Sequence, residues 1–278
     1  MKPVLSAAML ILGAFLSAAL NGAAYAATTV ETIIVGDESR SFRLHIPEEG
    51  RGPFPLVLSI HGYRSNAAQQ EKLSGFSALA DSEGFIVLYP DGLDDKWRFA
   101  GRTDSDVKFL LAAIEAVAAK APVDRNRIYS TGISNGAQMS WRLACDAPGV
   151  FAAFGFVSGA YLEVCNAPPR RPLIIFHGTA DKLLAYDGKG PFMGVRDFAV
   201  RWASGSGCNP ASSGETVYQK GDATGERFRC QTGHEVDLYT LQGKGHSWPG
   251  SRMPARITSK NVDATAAMWE FFKGHPRQ

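Results

Sequence analysis

Arg127-Ile-Tyr-Ser-Thr-Gly-Ile-Ser-Asn-Gly-Ala137 decides how the rest of the chain is read. Ile128 to Ser130 read as a short buried strand, and Asn135 to Cys145 as the helix that follows. Between them, Gly132 to Gly136 spell G-x-S-x-G in a strand–turn–helix setting. So sharp a turn crowds the residues two before and two after Ser134, and glycine relieves the clash by lacking a Cβ. The turn lifts the serine hydroxyl above the sheet edge, beside the free N–H groups at a helix N-terminus. With 21 serines and 29 glycines in 278 residues, composition alone yields the pattern about 0.2 times per chain. The motif therefore needs partners before it carries a function.

The segments on either side supply a scaffold. Thr32 to Val35 and Ser41 to Ile46 read as short antiparallel strands joined through Gly36. Leu56 to Ile60, Phe85 to Tyr89, Ala153 to Val157, Leu173 to Phe176 and Val236 to Leu241 are continuous apolar runs of the kind buried inside a parallel sheet. Helical patterns alternate with them at Gln69 to Ser82, Asp104 to Lys120, Val195 to Ala203 and Ala264 to Phe272. Thr216 to Gln219 and Glu226 to Cys230 suit a surface hairpin. The alternation predicts an α/β fold, a mostly parallel central sheet flanked by helices with right-handed crossovers. The interval between Val157 and Leu173 is too short for an independent helical cap, so an open, shallow site is expected with no large cap domain.

The first 26 residues stand apart. Lys2, an apolar run from Val4 to Leu20, and Ala24-Tyr-Ala26 form the pattern of a signal peptide cleaved after Ala26. The alternative is an uncleaved anchor, disfavoured by the Ala, Ser and Gly that dilute the run. Residues 27–278 then form a single catalytic domain, secreted to the periplasm or beyond, with no membrane contact after cleavage. Export makes Cys145, Cys165, Cys208 and Cys230 a predicted pair of disulfides, with three pairings possible. Cys145 with Cys165 and Cys208 with Cys230 are favoured because each closes a short loop. No C-x-x-C spacing or histidine cluster supports a metal. Formal net charge is +2 without a basic block, so nucleic acid is not an implied partner.

In a parallel sheet, chemistry gathers in loops at the carboxyl ends of the strands. Ser134, Asp181 and His246 each lie just past such an end, in the order Ser–Asp–His of an α/β-hydrolase. A serine hydroxyl needs an imidazole to take its proton, and the imidazole needs a carboxylate to hold its tautomer. Among the other histidines, His61 and His177 precede glycines at strand ends and read as loop anchors. His234 sits at the wrong end of the last strand, and His45 and His275 read as surface residues. Asp187 is the rival acid. The N–H groups of Asn135 and Tyr63 are the expected oxyanion donors, with Gly62 allowing close backbone approach. Tyr63, Trp97, Tyr186 and Trp248 fall on loops at this rim; Trp248 and Tyr63, with Gly62, are the expected substrate-lining residues.

Leu56 to Gly62, Asp106 to Phe109, Val123 to Tyr129, Gly132 to Ala137, His177 to Asp181 and Gly245 to Gly250 together resemble the secreted polyhydroxybutyrate depolymerases and feruloyl or acetyl xylan esterases. The resemblance spans nearly all of the mature chain. It implies a serine carboxylesterase of the α/β-hydrolase fold with no cofactor, a triad of Ser134, Asp181 and His246, and small or oligomeric ester substrates. The cysteine placement is also similar and agrees with the favoured pairings. Ala137 stands where the family often has a further glycine, and no linker or polymer-binding domain is visible. Soluble oligomers or aryl esters are therefore expected over solid polyester. The alternatives are a serine peptidase on the same fold, or a non-catalytic surface- or carbohydrate-binding protein.

Overall fold

A computed structural model describes residues 28–162, 171–206, 208, 214–230 and 233–277. The expected leader lies outside them, as does Cys165, so the Cys145–Cys165 pairing also falls outside the described residues. Cys208 and Cys230 are disulfide-bonded, as expected.

One ten-stranded sheet carries the fold. Its strands are β1 (Thr29–Val35), β2 (Glu38–His45), β3 (Phe54–Ile60), β4 (Ile86–Pro90), β5 (Val123–Ile133), β6 (Ala153–Val157), β7 (Leu173–Gly178), β8 (Glu215–Lys220), β9 (Ala223–Arg229) and β10 (Glu235–Leu241). The spatial order is β1-β2-β4-β3-β5-β6-β7-β10-β9-β8. From β4 to β10 the neighbours run parallel, and antiparallel β1–β2 and β9–β8 extend the two edges. β3, β4, β6 and β7 are buried along their whole length, because helices cover both faces of the sheet's middle. The expected surface hairpin is β8–β9, and it also extends this sheet, with β9 hydrogen-bonded to β10 from Glu235 to Leu241.

The helices are α1 (Ala67–Ser74), α2 (Phe76–Glu83), α3 (Ser105–Ala118), α4 (Asn135–Asp146), α5 (Val195–Gly205) and α6 (Ala264–Lys273). The single helix expected over Gln69 to Ser82 is two. Gly75 takes φ 70°, a left-handed turn that ends α1 and starts α2 at a new angle. Two packed layers flank the sheet. Phe109, Leu110, Ile114 and Val117 of α3, with Trp141 and Leu143 of α4, fill one. Phe76 of α2 and Met268, Trp269 and Phe272 of α6 fill the other.

His45 is not a surface residue. It is 6% exposed, with Nδ1 3.2 Å from Thr28 Oγ1 and Nε2 2.9 Å from Asp81 Oδ1. The interval from 158 to 172 between β6 and β7 contains no helix among its described residues. None of the described helices is long and apolar enough to cross a membrane.

Candidate active site

The turn at Ser134 is as tight as its glycines imply. Ser134 has φ 57° and ψ −120°, outside the regions a side-chain-bearing residue prefers. A Cβ on Gly132 would stand 2.5 Å from the Gly136 carbonyl carbon and 2.7 Å from the Ile60 carbonyl oxygen. One on Gly136 would collide with the Ile60 carbonyl oxygen and lie 2.5 Å from that of His61. Both positions thus require glycine, and the crowding holds β5, α4 and the end of β3 together. Ser134 stays partly exposed while its neighbours are buried. Its N–H donates to the Val157 carbonyl at 2.9 Å, fixing it beside the end of β6.

Asp181 and His246 come from adjacent parallel strands whose last paired residues are Gly178 of β7 and Leu241 of β10. The loops that leave there are stitched to one another. Thr179 N–H donates to Leu241 O at 3.0 Å, Ala180 N–H to Lys244 O at 2.9 Å, and Gly243 N–H to Thr179 Oγ1 at 2.8 Å. A Cβ on Gly178 would strike the Lys244 carbonyl, so glycine is required for this close approach. The result is a 2.8 Å hydrogen bond between His246 Nδ1 and Asp181 Oδ2. Asp181 Oδ1 accepts the backbone N–H groups of Leu183 and Leu184, each at 2.9 Å. Burial alone would raise the Asp181 carboxyl, but hydrogen bonds from His177 and His246, the charge of His246 and the Leu184 N–H hold it well below the usual carboxylate range. An ionised Oδ2 can only accept, so His246 Nδ1–H is the donor of this bond.

The β6 end links this pair to the serine. Ser158, at φ 46°, follows the residue that receives the Ser134 N–H, and its hydroxyl is 3.3 Å from both the N and the O of Ser247. The serine, the carboxylate and the imidazole therefore gather at the carboxyl ends of the parallel strands. Asp187, the rival acid, is exposed.

His61 and His177 anchor loops, as expected. His61 Nδ1 donates to Gly62 O at 2.7 Å while Nε2 accepts Gly92 N–H at 3.0 Å, a pattern only the neutral ring satisfies. Burial lowers its pKa in the same direction. His177 is fully buried, with Nε2 2.8 Å from Leu184 O and 3.4 Å from Asp181 Oδ2. It therefore supports the carboxylate as well as the loop, a role its sequence position does not signal.

Gly62 and Tyr63 follow β3, next to β5. A Cβ on Gly62 would lie 3.5 Å from Ser134 Cβ, so this loop borders the serine. Asn135 opens α4, where a first-turn N–H has no partner within the helix. Tyr63 is 58% exposed at the rim. The two tryptophans are not rim residues. Trp248, expected to line the substrate site, is 1% exposed: it packs edge-on against Phe76, and its indole N–H donates to Thr265 Oγ1 at 2.9 Å. Its loop dives under α2 and α6, which takes the ring into the core. Trp97 is likewise buried, and Tyr186 is half-buried with its hydroxyl 2.8 Å from Thr240 Oγ1.

Residues 41–168 match the family model described as esterase PHB depolymerase. A probable feruloyl esterase C from Aspergillus niger is 30% identical over 248 residues, covering 84% of this chain and 83% of the relative. The chain belongs to this esterase family. It is a carboxylic ester hydrolase of the serine type. Another family relative, poly(3-hydroxyalkanoate) depolymerase C from Paucimonas lemoignei, is 26% identical over 89% of this chain and 67% of its own length. The α/β-hydrolase fold is shared with an acetyl xylan esterase from Aspergillus awamori, at a TM-score of 0.64 and 16% identity, over 88% of this chain and 99% of that one.

Proposed function

We propose that this esterase works through an acyl-enzyme formed on Ser134, with His246 as general base and acid and Asp181 as the group that orients it. The observation that carries the reading is the 2.8 Å bond between buried Asp181 and partly exposed His246, at the same carboxyl ends of the parallel strands as a serine held at φ 57°. Ser134 Oγ attacks the ester carbonyl as its proton passes to His246 Nε2. The oxyanion is held by the N–H groups of Asn135 and Tyr63. The imidazolium then protonates the leaving alcohol as the tetrahedral adduct collapses. Water, deprotonated by the same imidazole, releases the acid and restores the serine. Asp181 stays ionised throughout, stabilising the imidazolium without taking its proton.

The substrates proposed are esters of compact acyl groups on soluble alcohols: feruloyl, acetyl or short 3-hydroxyalkanoate units. The names of the family relatives support this range, and the exposed Tyr63 ring beside Gly62 offers an apolar face to an aryl or short alkyl group. Residues 1–26 are read as a removed export leader and 27–278 as the catalytic unit; β1 starting at Thr29, the third residue past that junction, supports the division. Initial rates on methyl ferulate, a soluble 3-hydroxybutyrate oligomer and acetylated xylan test the proposal, with Ser134→Ala alongside. Turnover of at least one, lost in the variant, is expected. Turnover of none, or equal rates in the variant, would overturn it.

A further inference from the structure

The loop after β4, residues 91–98, lies outside the groups that the mechanism uses, yet it touches both arms that carry the proposed oxyanion donors. One arm is the loop from His61 to Arg64; the other is the N-terminus of α4. To the first arm, Gly92 N–H donates to His61 Nε2 at 3.0 Å, Trp97 Nε1–H donates to His61 O at 3.0 Å, and Arg64 N–H donates to Asp95 O at 2.8 Å. To the second, Trp97 N–H donates to Asn135 Oδ1 at 2.7 Å, and Asn135 Nδ2–H donates to Trp97 O at 3.1 Å. Asn135 is 8% exposed and Trp97 3%, so these bonds do not compete with bulk water.

The brace is itself anchored. Arg98 N–H donates to Asp106 Oδ2 at 2.8 Å, and Asp106 Oδ1 accepts Arg40 Nη2 at 2.9 Å in a pair 2% exposed on each side. The Trp97 ring lies parallel to Phe109 of α3, with centroids 6.5 Å apart. Gly92 allows the loop to fold back, since a Cβ there would meet the Lys96 backbone.

We propose that Trp97 and the Asn135 side chain are positioning residues that hold the two oxyanion donors at a fixed separation. The Asn135 amide does this work with its side chain while its own backbone N–H faces the reaction. Trp97 is bound simultaneously to Asn135 and to the residue before Gly62, so it spans the gap between the donors. The account rests on Ser134 as nucleophile and on the N–H groups of Tyr63 and Asn135 as donors. A donor moved by about 1 Å loses much of its effect on a developing oxyanion while leaving ground-state binding alone.

The test uses Trp97→Phe, which keeps an aromatic ring and the backbone bonds to Asn135 but removes the indole N–H to His61, and Asn135→Ala, which removes the clamp on the Trp97 backbone. Hydrolysis of p-nitrophenyl acetate gives kcat and KM. Inhibition by phenylboronic acid, which forms an anionic tetrahedral adduct on an activated serine, reports the oxyanion hole directly. The expected result is a kcat at least tenfold lower in each folded variant, KM within twofold of the parent, and boronate affinity weakened in step with kcat. If kcat and boronate affinity stay within twofold of the parent in Trp97→Phe, the brace plays no positioning role, whatever the folding of Asn135→Ala. KM rising with kcat unchanged would equally overturn it. Full activity in Ser134→Ala would instead refute the underlying mechanism, so the two failures are separable.

Discussion

Replacing Asp181 by asparagine changes one atom's hydrogen bonding and reverses the logic of the neighbouring imidazole. In the parent, Asp181 Oδ1 accepts two backbone N–H groups at 2.9 Å and Oδ2 accepts His246 Nδ1 at 2.8 Å. An amide has one oxygen and one NH2. Turning the NH2 toward Leu183 and Leu184 would oppose two donors to a donor and forfeit two hydrogen bonds, at about 1 kcal/mol each or more when buried. The amide oxygen therefore stays on that side, and the NH2 faces His246. Nδ1 must then become the acceptor, and the proton moves to Nε2, where it blocks removal of the Ser134 proton. The expected loss in kcat is about 10³- to 10⁴-fold, on the order of 4–5.5 kcal/mol of transition-state stabilisation. KM should move little, because no substrate contact is altered. The assay is p-nitrophenyl acetate hydrolysis at neutral pH on protein whose circular dichroism melt shows it folded. A folded Asp181→Asn enzyme with kcat within tenfold of the parent would refute the reasoning.

The same carboxylate makes a pH prediction. Its folded pKa lies below its unfolded value of about 3.9, so it adds stability that is fully present above that value and is lost as pH falls through the folded one. The stability gap between parent and Asp181→Asn, measured by urea unfolding, should narrow from about pH 5 to about pH 3; a constant gap would mean that the folded protein does not hold this carboxyl low. Gly136→Ala should cost about 3 kcal/mol and abolish activity, since its Cβ meets only backbone. Gly75→Ala, with open space around it but φ 70°, should cost about 1–2 kcal/mol and leave kcat unchanged. Thermal melts and rates on both variants check the contrast. Trp248→Phe should lower stability by about 1–2 kcal/mol through the lost bond to Thr265, with KM within twofold; a tenfold rise in KM with unchanged stability would restore Trp248 to the substrate site.

The parallel strands were legible because each is an apolar run ended by a loop, and the Ser–Asp–His order because each residue follows such a run. Gly132 and Gly136 declared the tight turn for the same local reason. What was hidden depends on contacts between distant segments. Trp248 sits in the loop that leaves β10 at its carboxyl end, which reads as a rim position; α2 and α6, remote in sequence, bury it. His45 carries no local sign that Thr28 and Asp81 will enclose it. The brace through Trp97 joins residues 38 and 36 positions apart, beyond any motif's reach. The break at Gly75 had a local signal, a lone glycine in a helical pattern, but the pattern on both sides outweighed it.

The central claim is that Ser134 is the activated nucleophile. The most direct measurement is labelling with a fluorophosphonate probe, followed by mass spectrometry of the modified peptide. One stoichiometric adduct on the peptide containing Ser134, absent from a folded Ser134→Ala variant, is the predicted result. An adduct on a different serine, or labelling that persists undiminished in Ser134→Ala, would contradict the account.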